Sequence, residues 1–282
     1  MTPRLDILRA CAIGLFTAVC ATQTASAQQP TNSPSATLPG PGLFTYRPML
    51  RYDKFSDAPG GADGQTERTR FMHHVMYGVA PEWGAFAEVS IVDRDAETPG
   101  GDESETGLGD TTLGVSHRFY RHDFGPIETF RAAAQFSLRM PTGDSDFTND
   151  TVNPSIGINT TTILGRHGVG ASARYELTTG ATDNPVDAGD GLADHLMLSG
   201  SHLYRIWPES YAEGGNVAVY SQVELLGHLE TNGDASLDTA LGVLVEAPRW
   251  AAEFSVILPV AEDLEERPES EFGIAIGVRF LF

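Results

Sequence analysis

Cysteine is nearly missing from this chain. Its 282 residues include two, Cys11 and Cys20, both within the first 27 positions. Lysine is scarcer still, with Lys54 alone. No apolar run beyond residue 21 approaches the roughly 20 residues of a membrane-crossing helix. Helical periodicity is almost absent. Each absence excludes something. Without cysteines in the body of the chain there is no disulfide framework and no thiolate metal site. With 18 basic residues against 38 acidic ones, a net charge of −20, the chain is a poor partner for nucleic acid. A helical membrane protein is excluded by the missing runs. A membrane-spanning strand is not, because only every second residue of such a strand faces lipid.

The first 27 residues read as a secretory signal. Arg4 and Arg9 form the positive end, residues 10–21 a short apolar stretch, and Ala25, Ser26 and Ala27 a small-residue cleavage site. Neither cysteine has the approach of a lipoprotein cysteine. The mature chain is expected to begin at Gln28, free of cysteine. Losing Asp6, Arg4 and Arg9 takes the net charge from −20 to −21. Residues 28–42, QQPTNSPSATLPGPG, are rich in Pro, Ser and Thr and read as a flexible lead-in.

From residue 43 onward, period-2 alternation dominates. Phe130, Ala132, Ala134, Phe136, Leu138 and Met140 share one face of a stretch whose other face carries Thr129, Arg131, Gln135, Ser137 and Arg139. Val169, Ala171, Ala173, Tyr175 and Leu177 alternate in the same way with Ser172, Arg174, Glu176 and Thr178. The reading predicts about twelve strands, over residues 43–54, 67–80, 83–93, 107–120, 127–140, 151–164, 169–179, 192–206, 211–227, 236–247, 250–259 and 271–282. Connections alternate in length. Short ones fall at 80–82, 121–126, 165–168, 207–210 and 248–249, and long, mostly acidic ones between them.

An even number of strands of spanning length, with short turns on one side and long loops on the other, describes an all-β, transmembrane, antiparallel up-and-down barrel. Short turns would be periplasmic and the long acidic loops extracellular. Closure is required because an unpaired edge is not tolerated in hydrocarbon. A soluble β-sandwich also alternates, but it has no reason to segregate its loops by length. All three tryptophans, Trp83, Trp207 and Trp250, fall beside short turns, the pattern of an aromatic girdle at a membrane boundary. The last strand alternates Phe272, Ile274, Ile276, Val278, Phe280 and Phe282 as a lipid face. Its terminal Phe282 resembles the assembly signal of Gram-negative outer-membrane proteins. The predicted organisation is a signal at 1–27, a flexible segment at 28–42 and an outer-membrane barrel at 43–282.

Three stretches carry a family resemblance: MYGVAPEWGAFAEVSIV at 76–92, GLGDTTLGVSHRF at 107–119 and FSLRMPTGD at 136–144. They resemble the outer-membrane β-barrel transporters named for the meta pathway of phenol degradation. The Gly-Leu-Gly-Asp strand opening and the Pro-Thr-Gly-Asp strand ending are the most telling. The resemblance implies a barrel and uptake of small apolar or aromatic compounds, and it supplies no catalytic residue and no cofactor.

On the inferred inner face lie Arg118, Arg131, Arg139, Arg174, Arg205 and Arg279, together with Glu88, Glu176, Glu224 and Glu253. Opposed charges in a pore orient a permeant. The same residues could instead pair off and stiffen a filled lumen. Twelve strands lie between the eight that leave almost no lumen and the sixteen that leave a wide one. Met72, His74 and Met76 share the inner face of one strand and offer soft ligands; ordinary strand residues explain them as well. Ser145 in GDSD suggests a loop-borne hydrolase, yet a serine nucleophile needs a histidine within reach. The acidic segments 93–105 and 262–271 lack the spaced ligands and glycine of a calcium loop, so no metal is expected there. The expected surroundings are outer-membrane lipid, lipopolysaccharide, the barrel assembly machinery and a small permeant. The leading expectation is a passive channel, not an enzyme; the alternatives are an outer-membrane hydrolase and a plugged structural barrel.

Overall fold

The computed structural model describes residues 28–58, 62–98, 101–180, 193–210 and 217–282. The expected signal sequence, with both cysteines, lies outside them. Thirteen strands follow in order: β1 (Phe44–Ala58), β2 (Ala62–Ala80), β3 (Trp83–Thr98), β4 (Gly101–Leu108), β5 (Thr111–Asp123), β6 (Thr129–Met140), β7 (Asn153–Leu164), β8 (His167–Glu176), β9 (His195–Trp207), β10 (Ala218–Glu230), β11 (Ala235–Ala247), β12 (Trp250–Asp263) and β13 (Glu269–Leu281). Consecutive strands pair antiparallel, except that β5 pairs with β3 and not with β4, and β13 returns to pair with β1.

Thirteen strands occupy twelve positions around the barrel. Residues 83–88 of β3 pair with β5, and residues 91–98 pair with β4. Thus β4 and β5 are one position broken at Gly109 and Asp110, where the sequence predicts an unbroken strand over 107–120. The break has a visible cause. Asp144, from the β6–β7 connection, accepts from the Leu108 N–H at 2.7 Å and donates its own N–H to the Leu108 carbonyl at 2.8 Å. The loop thereby takes the edge of β4 that β6 leaves uncovered.

Alternation does what the sequence predicts of it. Exposed apolar side chains such as Leu113, Val115, Phe136, Ile156, Val169, Leu225, Phe254 and Ile276 form the outer surface. Their neighbours along each strand point inward, because successive strand residues face opposite sides. Trp83, Trp207 and Trp250 are exposed at the short-turn end, and Trp83 stacks on His117 across the β3–β5 pair at 4.2 Å. At that end the β7–β8 turn is tight, and Gly165 adopts a φ of +59°, a conformation glycine tolerates without a Cβ clash.

The other end departs from expectation. Two acidic segments, read as loops, instead prolong the ladder. β1 and β2 continue pairing to Ala58 and Ala62, and β3 and β4 pair from Ile91 opposite Leu108 to Thr98 opposite Gly101. Cross-strand pairs carry this extension: Arg94 bonds Glu105, and the Thr106 hydroxyl bonds Asp93. On the short-turn side, β10 starts at Ala218 rather than at 211; residues 211–216 lie outside the described residues.

Candidate functional site: the barrel lumen

Residues 28–42, predicted to be a flexible lead-in, contain no helix or strand but lie inside the barrel. Gln28, Thr31, Ser33, Ala36, Thr37 and Leu38 are all buried. The physical reason is in the same composition that suggested flexibility. Serine, threonine and asparagine side chains, and a backbone unpaired by any ladder, suit a wall lined with charged and polar groups.

The segment is held along its length. The Gln28 N–H donates to Glu246 at 3.3 Å. Gln222 donates to the Thr31 hydroxyl, and Arg47 to the Thr31 carbonyl. Glu224, fully buried, accepts from the Asn32 N–H at 3.0 Å, the Asn32 amide at 3.0 Å and the Ser33 hydroxyl at 2.6 Å. Asn32 also donates to Ser255 at 3.0 Å. The chain then crosses the lumen: the Ala36 N–H meets Thr161 at 3.0 Å, and Arg131 reaches the Thr37 hydroxyl at 3.5 Å. It leaves against β2 and β3. A Cβ on Gly78 would fall 2.1 Å from the Gly40 carbonyl oxygen, so the close pass there requires glycine. Gln28, Gly40 and Gly78 all belong to the short-turn half, and the deepest point is at Glu224. Beneath the segment, Leu203, Ala218, Tyr220, Leu244 and Ala251 form the apolar core of that half.

The ten charged residues singled out in the sequence all fall on the inward register. Arg139 pairs with Glu176 at 2.7 Å. Glu253 sits between Arg47 at 2.6 Å and Arg279 at 3.3 Å, and Arg279 also donates to the Gln29 carbonyl at 3.4 Å. Glu88 lies 3.6 Å from His74. The other arginines have different company. Arg118 is tied to the Pro81 carbonyl at 2.6 Å, Arg174 contacts the Met197 sulfur at 2.8 Å, and Arg205 reaches the Glu209 carbonyl at 3.5 Å. The wall therefore combines ion pairs with guanidinium groups held by backbone carbonyls.

Sequence reading missed a second charged cluster, on β1 and β2. Asp53 is buried and faces Arg51 at 2.7 Å, Arg68 at 3.2 Å and Arg70 at 3.4 Å. The signal was present: Phe44, Tyr46, Pro48, Leu50 and Tyr52 alternate outward, which puts Arg47, Arg51 and Asp53 inside. Met72, His74 and Met76 do share the inner face, where His74 stacks on Phe86 at 5.5 Å. Ser145 lies on an exposed loop with its hydroxyl bonded to Asp146 at 3.3 Å.

The two motifs that carry the family resemblance meet in space. Asp110, from Gly-Leu-Gly-Asp, accepts from the N–H groups of Thr142 and Gly143, each at 3.1 Å, and Asn149 at 3.4 Å. Asp144, from Pro-Thr-Gly-Asp, accepts from Leu108 in return. Each aspartate caps the other motif's backbone. A Cβ on Gly107 or Gly143 would approach the facing motif to 2.7 or 2.8 Å, so both glycines are needed for the fit.

A closed twelve-stranded antiparallel barrel with an apolar exterior and a charged interior is an outer-membrane barrel protein. Within that class, the chain belongs to the family described as "Putative MetA-pathway of phenol degradation", whose model matches residues 54–247. Among solved structures it resembles the COG4313 outer membrane channel from Pseudomonas putida F1, at 12% identity and a TM-score of 0.62, over 87% of this chain and 97% of that one. It also resembles the beta domain of the Bordetella autotransporter BrkA, at 13% identity and a TM-score of 0.51, over 86% of this chain and 100% of that one. At these identities the likeness concerns the fold. No curated protein matches the sequence significantly.

Proposed function

We propose that this protein is an outer-membrane channel for small solutes, with the 28–42 segment narrowing the short-turn half of its lumen. The observation that carries the reading is the inner wall. Charged side chains from nearly every strand face a common interior that the segment only partly accounts for. Arg139, Glu176, Asp53 and Arg68 lie toward the long-loop end, beyond the segment's deepest contact at Glu224. Such a wall favours permeants that can slide past fixed opposite charges. Small aromatic compounds are the substrate class that the family's name points to. The long acidic loops face outward in this reading, toward lipopolysaccharide, and the short turns face the periplasm, with Phe282 presented to the assembly machinery.

The test is a liposome-swelling assay with the purified protein, comparing small phenolic solutes with sugars of similar mass. Faster swelling with the phenolics supports the reading; no swelling with any solute favours a second one, the plugged barrel, for which the hydrogen-bonded 28–38 stretch speaks. For orientation, a protease site inserted between residues 98 and 101 should be cut on intact cells, and one beside Gly165 should not. The reverse pattern would invert the barrel.

A further inference from the structure

At the long-loop end of the lumen, three side chains converge away from the 28–42 segment. His195 opens β9, and His228 and Glu230 close β10, all on the inward register. Nδ1 of His195 lies 3.0 Å from Nε2 of His228 and 3.3 Å from Oε1 of Glu230. His228 Nδ1 is 3.8 Å from the same oxygen. His195 and Glu230 are buried, and His228 is half-buried. Among the described residues this is the one set of three such side chains whose ligand atoms lie within 4.8 Å of one another.

We propose that His195, His228 and Glu230 form a binding site for a divalent transition-metal ion of the zinc class. Two imidazoles and one carboxylate are a borderline-soft ligand set with room for a fourth ligand. Two nitrogens bound to one tetrahedral zinc at about 2.0–2.1 Å each stand roughly 3.3 Å apart. The spacings of 3.0 and 3.3 Å around His195 Nδ1 need only small adjustments to meet that geometry.

A cation already occupies the place. The Arg267 guanidinium bonds Oε1 of Glu230, and its Nη2 lies 3.4 Å from His195 Nδ1. An arginine can only donate, so the guanidinium directs its N–H groups at the same carboxylate and ring nitrogen that a metal ion would take. The other ring nitrogen of His195, Nε2, is buried without a hydrogen-bond partner. The position of Arg267 follows from its loop. Asp234 accepts from the N–H groups of Glu265 at 2.8 Å and Glu266 at 3.1 Å, which swings the next residue over Glu230. Metal binding exchanges this guanidinium for the ion while the loop stays anchored at Asp234. Arg267 is therefore a built-in competitor that lowers the affinity without abolishing it.

The experiment uses the purified barrel without a polyhistidine tag. Cobalt(II) serves as the probe, its visible absorption reporting tetrahedral nitrogen and oxygen ligation, and zinc is added in competition. One cobalt per chain should bind and be displaced by zinc, but not by calcium or magnesium, which prefer all-oxygen sites. His228→Ala should weaken binding at least tenfold, and Arg267→Gln should tighten it by about as much. Heat-modifiable migration confirms that each variant is a folded barrel. Absence of saturable one-to-one binding in the wild-type protein would overturn the proposal. So would binding unaffected by His228→Ala, which would place the ion on the acidic loops, or an Arg267→Gln affinity no higher than wild type.

Discussion

Phe44 and Phe282 close the barrel. The Phe44 N–H donates to the Phe282 carbonyl at 3.1 Å, the Phe282 N–H donates back to the Phe44 carbonyl at 2.9 Å, and the two rings stack with centroids 4.7 Å apart. The first and last strands of the sheet thus meet through a reciprocal hydrogen-bonded pair topped by an outward-facing aromatic contact. In hydrocarbon, an unzipped edge leaves its backbone groups without partners.

Phe282→Ala removes the ring and keeps the backbone bonds. Aromatic pairs contribute about 0.5–1.5 kcal/mol beyond area burial, so the folded barrel should melt at a lower temperature. Phe44→Ala should cost a similar amount, and the double variant less than the two losses together, since one contact is being removed twice. Heat-modifiable gel migration across a temperature series reads this. Strictly additive losses would show that the rings act independently.

The Asp110 and Asp144 exchange predicts a local effect. Asp110→Ala strips the acceptor from three backbone N–H groups, and hydrogen bonds to a charged group are worth about 1.5–3 kcal/mol. Hydrogen exchange at Thr142 and Gly143 should accelerate about tenfold or more, while β10 to β12 stay protected. Asp144→Ala should loosen Leu108 in the same way. Unchanged exchange at Thr142 in Asp110→Ala would mean that the loop is held by other contacts.

Asp194, in the connection before β9, supplies a pH dependence. The Tyr175 hydroxyl donates to it at 2.6 Å and the Thr178 N–H at 2.9 Å, and these bonds hold its carboxyl below the ordinary carboxylate range. A depressed folded value means that the anchoring is fully present above the unfolded value of about 3.9 and is lost as pH falls through the folded one. Protection of the Thr178 N–H, corrected for intrinsic exchange, should fall below about pH 4. In Asp194→Asn that fall should disappear. A wild-type profile flat through this range would contradict the anchoring role.

The outer face was legible in the sequence because lipid imposes one rule on every spanning strand, and alternation records it directly. Phe130 to Met140 and Phe272 to Phe282 show this most simply. The ladder beyond the membrane was not legible. In water the outer face has no need of apolar residues, so Arg94, Glu105 and Asp93 pair across strands with a composition that reads as loop. The occupied lumen was hidden for a related reason. Residues 28–42 bury polar atoms against polar walls, and Asn32 on Glu224 leaves no periodic trace. His195, His228 and Glu230 come together only when β9 and β10 pair, and nothing in their spacing along the chain announces it.

The central claim is a conducting lumen narrowed by its own N-terminal segment. Single-channel recording in a planar bilayer, with the intact barrel and a variant lacking residues 29–40 measured side by side, tests it most directly. The account predicts small, discrete conductance from the intact protein and conductance several-fold larger from the variant. Equal conductance in the two, or none in either from barrels shown to be folded, would contradict it.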